Sequence, residues 1–416
     1  MVAQPRCQQR HTKKGVCTVA NTPAPNDVVI LSATRTPQGK LRGQLGSITA
    51  VELGTVALRA AVERSGVDVD SIDQVIFGQV IQAGAGQNPA RQTSIAAGLA
   101  WNTPAVTVNK VCLSGLAAIV DAARLIRLGE ANVVAAGGQE SMTNAPHVLP
   151  GSRMGWAYGT VSALDSAAHD ALTDAFDAES MGASTERHNG RLDIGRTEQD
   201  EIAAASHQRA AAAIEAGIFT DEIAPVTIPQ RKGDDLVIDT DEGVRATTTV
   251  ETLARLRPAF DPEGTITAGN SSPLSDGASA VILATREWAE EHGLTWLAVL
   301  DRSGHVAGPD NSLHSQPARA IAAALTNAGW TAEDLDFAEI NEAFAAVSLR
   351  STAELGLSHD IVNIHGGAIA IGHPVGASGA RLVVHAAHEL ARRGSGRAAV
   401  ALCGGGGQGD ALLLTR

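Results

Sequence analysis

Two cysteines, a histidine and an asparagine stand in settings that suit covalent and acid–base chemistry. Cys112 lies between the apolar stretch Ala105 to Asn109 and the helical pattern Leu116 to Leu128. At a helix start, unpaired N–H groups and the helix dipole lower a thiol pKa and favour the nucleophilic thiolate. A small core residue fits the same position, because free cysteine is among the most buried residue types. Cys403 precedes the glycines Gly404 to Gly407, where backbone can approach a ligand closely and N–H groups can converge on an oxygen. A strand-end cysteine before a flexible turn fits there too. His373 sits between Gly372 and Pro374 in a glycine-dense segment that an ordinary core does not need. There a histidine can activate a cysteine or donate to an oxyanion, although a lone histidine is usually structural or exposed. Asn341-Glu342-Ala343-Phe344 follows the run Leu335 to Ile340, and by itself it reads as a helix cap with a first-turn acid.

The elements that must position these groups are legible as alternation. From Asp27 onward, apolar runs (Val28 to Leu31, Gln74 to Phe77) alternate with helical patterns (Ala50 to Ser65, Asn88 to Gly98), which predicts an α/β protein with largely parallel strands. The helix after Cys112 stops at Gly129, and Val133 to Gln139 reads as a buried strand entering a glycine turn. The same order recurs near the other end. Ser378-Gly379 opens a helical stretch to Arg393, Gly394 closes it, and Ala398 to Leu402 runs into Cys403 and Gly404-Gly405-Gly406-Gly407-Gln408. Two similar halves follow, related by a pseudo-two-fold. Residues 143–271 differ in texture, with irregular Gly-, Met- and Asp-rich segments and an Ala-rich helix from Glu198 to Gly217. They read as an inserted loop domain carrying much of the substrate contact. The expected organisation is a tail over 1–26, a first half over 27–142 plus 272–293, the insertion over 143–271 and a second half over 294–416.

Composition bounds the remaining classes. With 44% hydrophobic and 19% charged residues, the chain is an ordinary globular one and not disordered, collagenous or coiled-coil. No apolar run approaches the roughly 18 residues of a membrane span. A net charge of −13 disfavours a general nucleic-acid partner. The four cysteines, Cys7, Cys17, Cys112 and Cys403, are too dispersed for a disulfide scaffold and suit a reducing, cytoplasmic setting. None has zinc-ligand spacing, so no metal site is expected. Residues 1–26 carry four basic residues and no acidic one, without a continuous apolar core; that is a poor secretory signal and reads as a tail or an over-long start, with an organelle leader as the alternative. The glycines at 404–409 lie too near the chain end to open a dinucleotide-binding βαβ unit.

Five motifs together carry a resemblance. Cys112-Leu113-Ser114-Gly115, Gly137-Gly138-Gln139-Glu140-Ser141-Met142, Asn341-Glu342-Ala343-Phe344, Gly366-Gly367-Ala368-Ile369-Ala370-Ile371-Gly372-His373-Pro374 and Cys403-Gly404 through Gly409 are similar, in order and spacing, to the thiolase family from Asp27 to Arg416. The resemblance implies two similar α/β halves in a five-layer αβαβα core. It also implies a nucleophile at Cys112, which takes an acyl group as a thioester. His373 is implied to promote thiolate formation and hold the thioester oxygen of a second acyl-CoA, Cys403 to remove its C2 proton, and Asn341 to position a water. The N–H groups of Cys112 and Gly405 would form the other oxyanion hole. Such a set fits the chemistry: carbon–carbon bond formation beside a thioester needs an acyl carrier, a base and two places for negative oxygen.

For coenzyme A the family pattern carries over to Arg245 and Ser272, with Leu172, Met181 and Phe344 near the pantetheine end and acyl group. Three departures stand out: Ser180 where biosynthetic members often carry histidine, Pro273 for a common glycine and His365 for a common asparagine. The implied activity is acetyl-CoA C-acetyltransferase, 2 acetyl-CoA to acetoacetyl-CoA and CoA, in lipid and fatty-acid metabolism. Coenzyme A thioesters are then substrates, no cofactor is expected, and the assembly is a homotetramer or homodimer. A 3-ketoacyl-CoA thiolase acting on longer chains is the nearest alternative. A non-catalytic acyl-CoA-binding or scaffold protein is opposed by the retained cysteines and histidine. A ketosynthase-type enzyme typically carries histidine where Cys403 stands.

Overall fold

The computed structural model describes residues 26–416; the tail expected over 1–26 therefore lies, but for Asn26, outside the described residues. The elements that frame the site are β1 (Val28–Arg35), α1 (Ala50–Ser65), β2 (Gln74–Gly78), β3 (Ala105–Val108), α2 (Ser114–Leu128), β4 (Val133–Ser141), α3 (Met181–Leu192), α4 (Arg196–Glu215), β5 (Ser275–Thr285), β6 (Ala298–Ala307), α5 (Gln316–Ala328), β7 (Phe337–Ile340), α6 (Ala345–Leu355), α7 (Ser378–Arg393), β8 (Arg397–Gly404) and β9 (Gln408–Thr415). Local chemistry sets several ends. Thr49 and Glu52 cap α1 reciprocally, and Gly129 and Gly394 stop α2 and α7 at φ 72° and 76°.

The strand order is β3-β2-β4-β5-β1-β6-β9-β8-β7. In the first half β3, β2 and β4 pair in parallel, and β5 runs against both β4 and β1. In the second half β7 and β8 are parallel and β9 runs against both β8 and β6. A single parallel bridge, Ala338 to Val362, stands on β7 where β3 stands on β2. One pairing pattern is thus written twice, and the halves join where β1 meets β6 at Val28–Leu300, Val29–Val299 and Ile30–Ala298. The expectation of largely parallel strands is corrected in one respect: each half carries a single strand running against the rest. β5 returns after the long connection from β4, and β9 follows β8 through a tight turn with left-handed Gly406 and Gly407.

Side-chain alternation assigns the layers. On β4, Val133 and Ala135 face a core with Leu53 and Leu58 of α1, while Val134 and Ala136 face a core with α2 and α7. On β8, Ala398, Val400 and Leu402 share that central core, while Ala399 and Ala401 pack with Ile321 and Leu325 of α5. Helix, sheet, helix pair, sheet and helix give five layers. Because both faces are covered, Val133–Ala136 of β4 and Ala398–Leu402 of β8 are continuous apolar runs. The two Ser-Gly motifs meet in the middle layer: a Cβ on Gly115 would lie 2.9 Å from Ala380 N, and one on Gly379 2.6 Å from Leu116 N. Only glycine permits that approach of α2 to α7. Between β4 and β5 the chain leaves the sheet to form α3, α4 and the hairpin Val226–Ile228/Leu236–Ile238. Among the described residues, no helix is long and apolar enough to cross a membrane.

Candidate active site

Cys112 sits on a turn that the backbone holds under strain. Val111, just before it, has φ 52°, a left-handed conformation costly for a β-branched residue, on the order of 1–3 kcal/mol. Ser114 holds the turn: its Oγ accepts from Lys110 N at 2.8 Å and donates to Val111 O at 2.6 Å. The N–H groups of Cys112 and Gly405 both favour the thiolate form of the sulfur. The lowered thiol pKa expected at a helix start is not what the structure gives. Burial pushes the Cys112 thiol up to about 12, and the two N–H groups only moderate the rise.

Cys403 closes β8 on the opposite side, in a cluster with Met181, Leu313, Ala343 and Phe344. Burial raises its pKa, and Cys112 is near enough for its charge to add to the rise. His373 follows Gly372, which takes φ 127°, and its N–H donates to Ser275 Oγ at 3.0 Å. Its Nδ1 lies 2.6 Å from Ser378 Oγ, whose own proton goes to Pro374 O at 2.9 Å. A hydroxyl has one proton, so Nδ1–H is the donor and Nε2 is left as an acceptor. Burial, with Arg381 nearby, holds the imidazole neutral, its pKa lowered to about 3.

Asn341 directly follows β7, its N–H donating to Ala401 O at 2.9 Å. Its Nδ2 lies 3.5 Å from each ring nitrogen of His373, and its buried Oδ1 has no partner among the described residues. The helix-cap reading of this segment is overturned: α6 begins at Ala345 with Phe344 at its N-cap, and Asn341 and Glu342 precede it outside the helix. Cys112, Cys403 and Gly405 are thus grouped, as are His373 and Asn341, and the Asn341 N–H on Ala401 O sets the second group against the strand that carries Cys403.

The outer residues divide. Met181 N donates to Leu172 O at 2.8 Å, and Leu172 packs against the core containing Cys112. Phe344 bridges to Ser271, and Ser272 bonds Ala343 O through both N–H (3.1 Å) and Oγ (3.0 Å). Arg245 stands in an exposed stretch, its N–H donating to His207 Nδ1 at 3.2 Å. Ser180 is exposed and caps α3, accepting from Ala183 N at 3.2 Å. Pro273 O accepts from Ser275 Oγ at 2.8 Å, behind the His373 N–H. His365 lies elsewhere, 3.1 Å from His385.

Two residues that the sequence did not mark for a role support the site. Ser378 fixes the His373 tautomer. Glu140, at the end of β4, accepts from Val80 N (2.9 Å), Ile81 N (3.2 Å) and Gly376 N (3.0 Å), tying the loop after His373 to the first half. Burial pushes its carboxyl up to about 8 against those three bonds. The repeated motifs contain both residues, but their partners lie far off in the chain.

Comparison with known proteins places this arrangement. Residues 28–287 match the family model of the thiolase N-terminal domain, and residues 294–416 that of the thiolase C-terminal domain. A probable acetyl-CoA acetyltransferase of Mycolicibacterium smegmatis is 56% identical over 93% of this chain and 100% of its own. An acetyl-CoA acetyltransferase of Pseudomonas aeruginosa is 50% identical over 94% of this chain and 99% of its own. The crystal structure of the Bacillus anthracis acetyl-CoA acetyltransferase superposes with a TM-score of 0.91 at 40% identity, covering 95% of this chain and 100% of that one.

Proposed function

The chain belongs to the thiolase family, and on that premise we propose that it is an acetyl-CoA C-acetyltransferase, joining two acetyl-CoA into acetoacetyl-CoA with release of CoA. The observation that carries this reading is two buried cysteines close enough for their charges to interact, together with a neutral histidine whose Nε2 carries no proton.

In the first half-reaction His373 Nε2 takes the Cys112 thiol proton, and the sulfur attacks the acetyl carbon. The N–H groups of Cys112 and Gly405 hold the developing oxyanion. The bond from carbon to CoA sulfur breaks, and the departing thiolate takes the Cys403 proton. An acetyl-Cys112, an imidazolium and a Cys403 thiolate remain, so net charge is conserved inside a site whose burial opposes any lone charge. In the second half-reaction the Cys403 thiolate removes a C2 proton from another acetyl-CoA, whose thioester oxygen rests on His373 Nε2–H and a water held by Asn341. The carbanion attacks the acyl carbon, Cys112 sulfur leaves, and His373 returns its proton to that sulfur.

Leu172, Met181 and Phe344 flank the acyl end in this reading, with Ser272 and Arg245 toward the coenzyme. Coenzyme A thioesters are substrates and no cofactor is needed. The two free cysteines among the described residues suit a reducing cytoplasm, and the assembly is a homotetramer or homodimer, as the family resemblance implies. The deciding experiment is thiolysis of 3-ketoacyl-CoAs of rising length. A preference for acetoacetyl-CoA, with appreciable turnover of five- and six-carbon homologues, is expected, since one methylene in a fitting pocket is worth about 1–3 kcal/mol. Best turnover at eight carbons or more replaces this reading with a degradative thiolase.

A further inference from the structure

The nucleophile loop and the hairpin of the base are joined by an ion pair outside the catalytic set. Lys110 Nζ lies 2.7 and 2.8 Å from the two carboxylate oxygens of Asp410. Asp410 is fully buried on β9, opposite Leu402 in the β8–β9 ladder, and the next pair in register is Cys403–Gly409. Lys110 is two residues before Cys112, separated from it only by the left-handed Val111. The pair therefore spans the seam between the halves, one register step from the base and two residues from the nucleophile.

Its far side is braced as well. His305 of β6 places Nδ1 2.8 Å from Asp410 Oδ1, and Arg124 of α2 places a guanidinium nitrogen 2.9 Å from His305 Nε2. Arginine can only donate, so His305 Nε2 accepts and Nδ1–H donates to the carboxylate. A buried carboxylate with both oxygens engaged by charge-assisted and neutral donors is a fixed anchor. Any play in the nucleophile loop is then referred to the strand hairpin that carries Cys403.

We propose that Lys110 and Asp410 are positioning residues that hold the Cys112 loop at its working distance from Cys403, so that carbon–carbon bond formation depends on their bond more than acyl transfer does. The inference rests on the thiolase reading above. In the condensation step the C2 proton passes to Cys403 while the C2 carbon bonds the acyl carbon and the Cys112 Sγ–C bond breaks. One two-carbon unit must then be within reach of both sulfurs at once. Acyl transfer to Cys112 also uses the Gly405 N–H of that hairpin, but it makes a weaker demand on the distance to Cys403, since proton delivery to the departing CoA thiolate tolerates looser placement. A misplacement of about 1 Å at such a site can cost about 100-fold.

The test compares Lys110→Met, Lys110→Arg and the double variant Lys110→Met/Asp410→Asn, the last of which removes the unpaired buried charge that could cripple folding. Two rates are read: single-turnover acetylation of Cys112 by intact mass, and steady-state condensation of acetyl-CoA. In Lys110→Met and in the double variant the ratio of condensation to acetylation should fall about 10- to 100-fold, while Lys110→Arg should restore it to within about threefold. A merely structural pair would lower both rates together with the melting temperature. An unchanged ratio in the double variant, or equal impairment in Lys110→Arg and Lys110→Met, overturns the proposal. Failure of the unaltered enzyme to acetylate Cys112 or to condense would instead count against the thiolase reading.

Discussion

At the scale of single residues, the chemistry turns on keeping three buried groups neutral until substrate supplies a reason to ionise them. Burial raises both thiols and lowers His373, so the cost of a thiolate is met only when the imidazole takes its proton and the N–H groups of Cys112 and Gly405 face the new oxyanion. Cys112→Ser should therefore form no acetyl adduct, because a hydroxyl yields almost no anion near neutral pH. Cys403→Ala keeps the nucleophile and should still acetylate, while condensation falls at least about 100-fold for want of a base. Intact mass and a coupled condensation assay separate the two, and an acetyl group on any residue other than Cys112 sinks the assignment. The tautomer argument gives its own test. Ser378→Ala removes the acceptor that keeps the proton on His373 Nδ1, and a lost hydrogen bond of about 1 kcal/mol predicts a roughly five- to tenfold fall in the acetylation rate. The conservative Ser378→Thr should recover most of it; equal loss in both variants would mean that the hydroxyl does not set the tautomer.

At the scale of elements, α4 shows how a segment poor in large apolar residues still packs. Its buried positions Gln199, Asp200, Ala203, Ala204, Ser206, His207, Ala210 and Ala213 recur at helical spacing, and the polar ones are individually bonded: Asp200 to Arg196 and Asn270, Ser206 to Glu342. His207 is 2% exposed and accepts the Arg245 N–H. Burial first, and then the charges of Arg245 and Lys40, lower its pKa from 6.5 to about 4. A histidine whose folded pKa is depressed contributes stability that is fully present above pH 6.5 and is lost as pH falls toward 4. By pH 5 the loss is about 2 kcal/mol. His207→Gln keeps an acceptor without the proton, so urea unfolding should show the variant gaining about 2 kcal/mol on the unaltered protein between pH 7.5 and pH 5. A pH-independent difference would show that His207 does not titrate in this range. Elements of this kind mark how far sequence reads. Ala50–Ser65 and the stops at Gly129 and Gly394 were legible because caps are local chemistry. Cys112, His373 and Cys403 were legible because glycine-rich turns surround reactive side chains. The raised thiols and the 110–410 pair were not, since each depends on a partner or a burial supplied hundreds of residues away; the left-handed Val111 was not either, because a β-branched residue gives no local signal of a positive φ.

At the scale of the whole molecule, the pieces meet at Arg35, on the strand where the two halves join. Its Nε donates to Glu222 at 2.8 Å, and its two terminal nitrogens donate to the two oxygens of Asp241 at 2.8 and 2.9 Å. Glu222 also receives His385 Nδ1 of α7 at 3.0 Å. First half, connecting segment and second half are thereby tied through side chains no more than 2% exposed. Burial alone would raise the Glu222 carboxyl; the charges of Arg35 and His385 outweigh it and hold the pKa well below the usual carboxylate range. The network is not replaceable piecemeal. Arg35→Met keeps much of the apolar contact with Phe219, over whose ring the guanidinium lies at 5.1 Å, but it leaves Asp241 with no cation among the described residues and Glu222 with His385 alone. Breaking a buried pair in this way costs about 3–5 kcal/mol, a large fraction of the stability of an ordinary domain. The triple variant Arg35→Met/Glu222→Gln/Asp241→Asn carries no stranded charge and should recover most of that loss. Urea midpoints at pH 7.5 measure both. If Arg35→Met costs less than about 1 kcal/mol, or if the triple variant is no better than the single one, the three segments are held together by apolar packing, and the network only accompanies it.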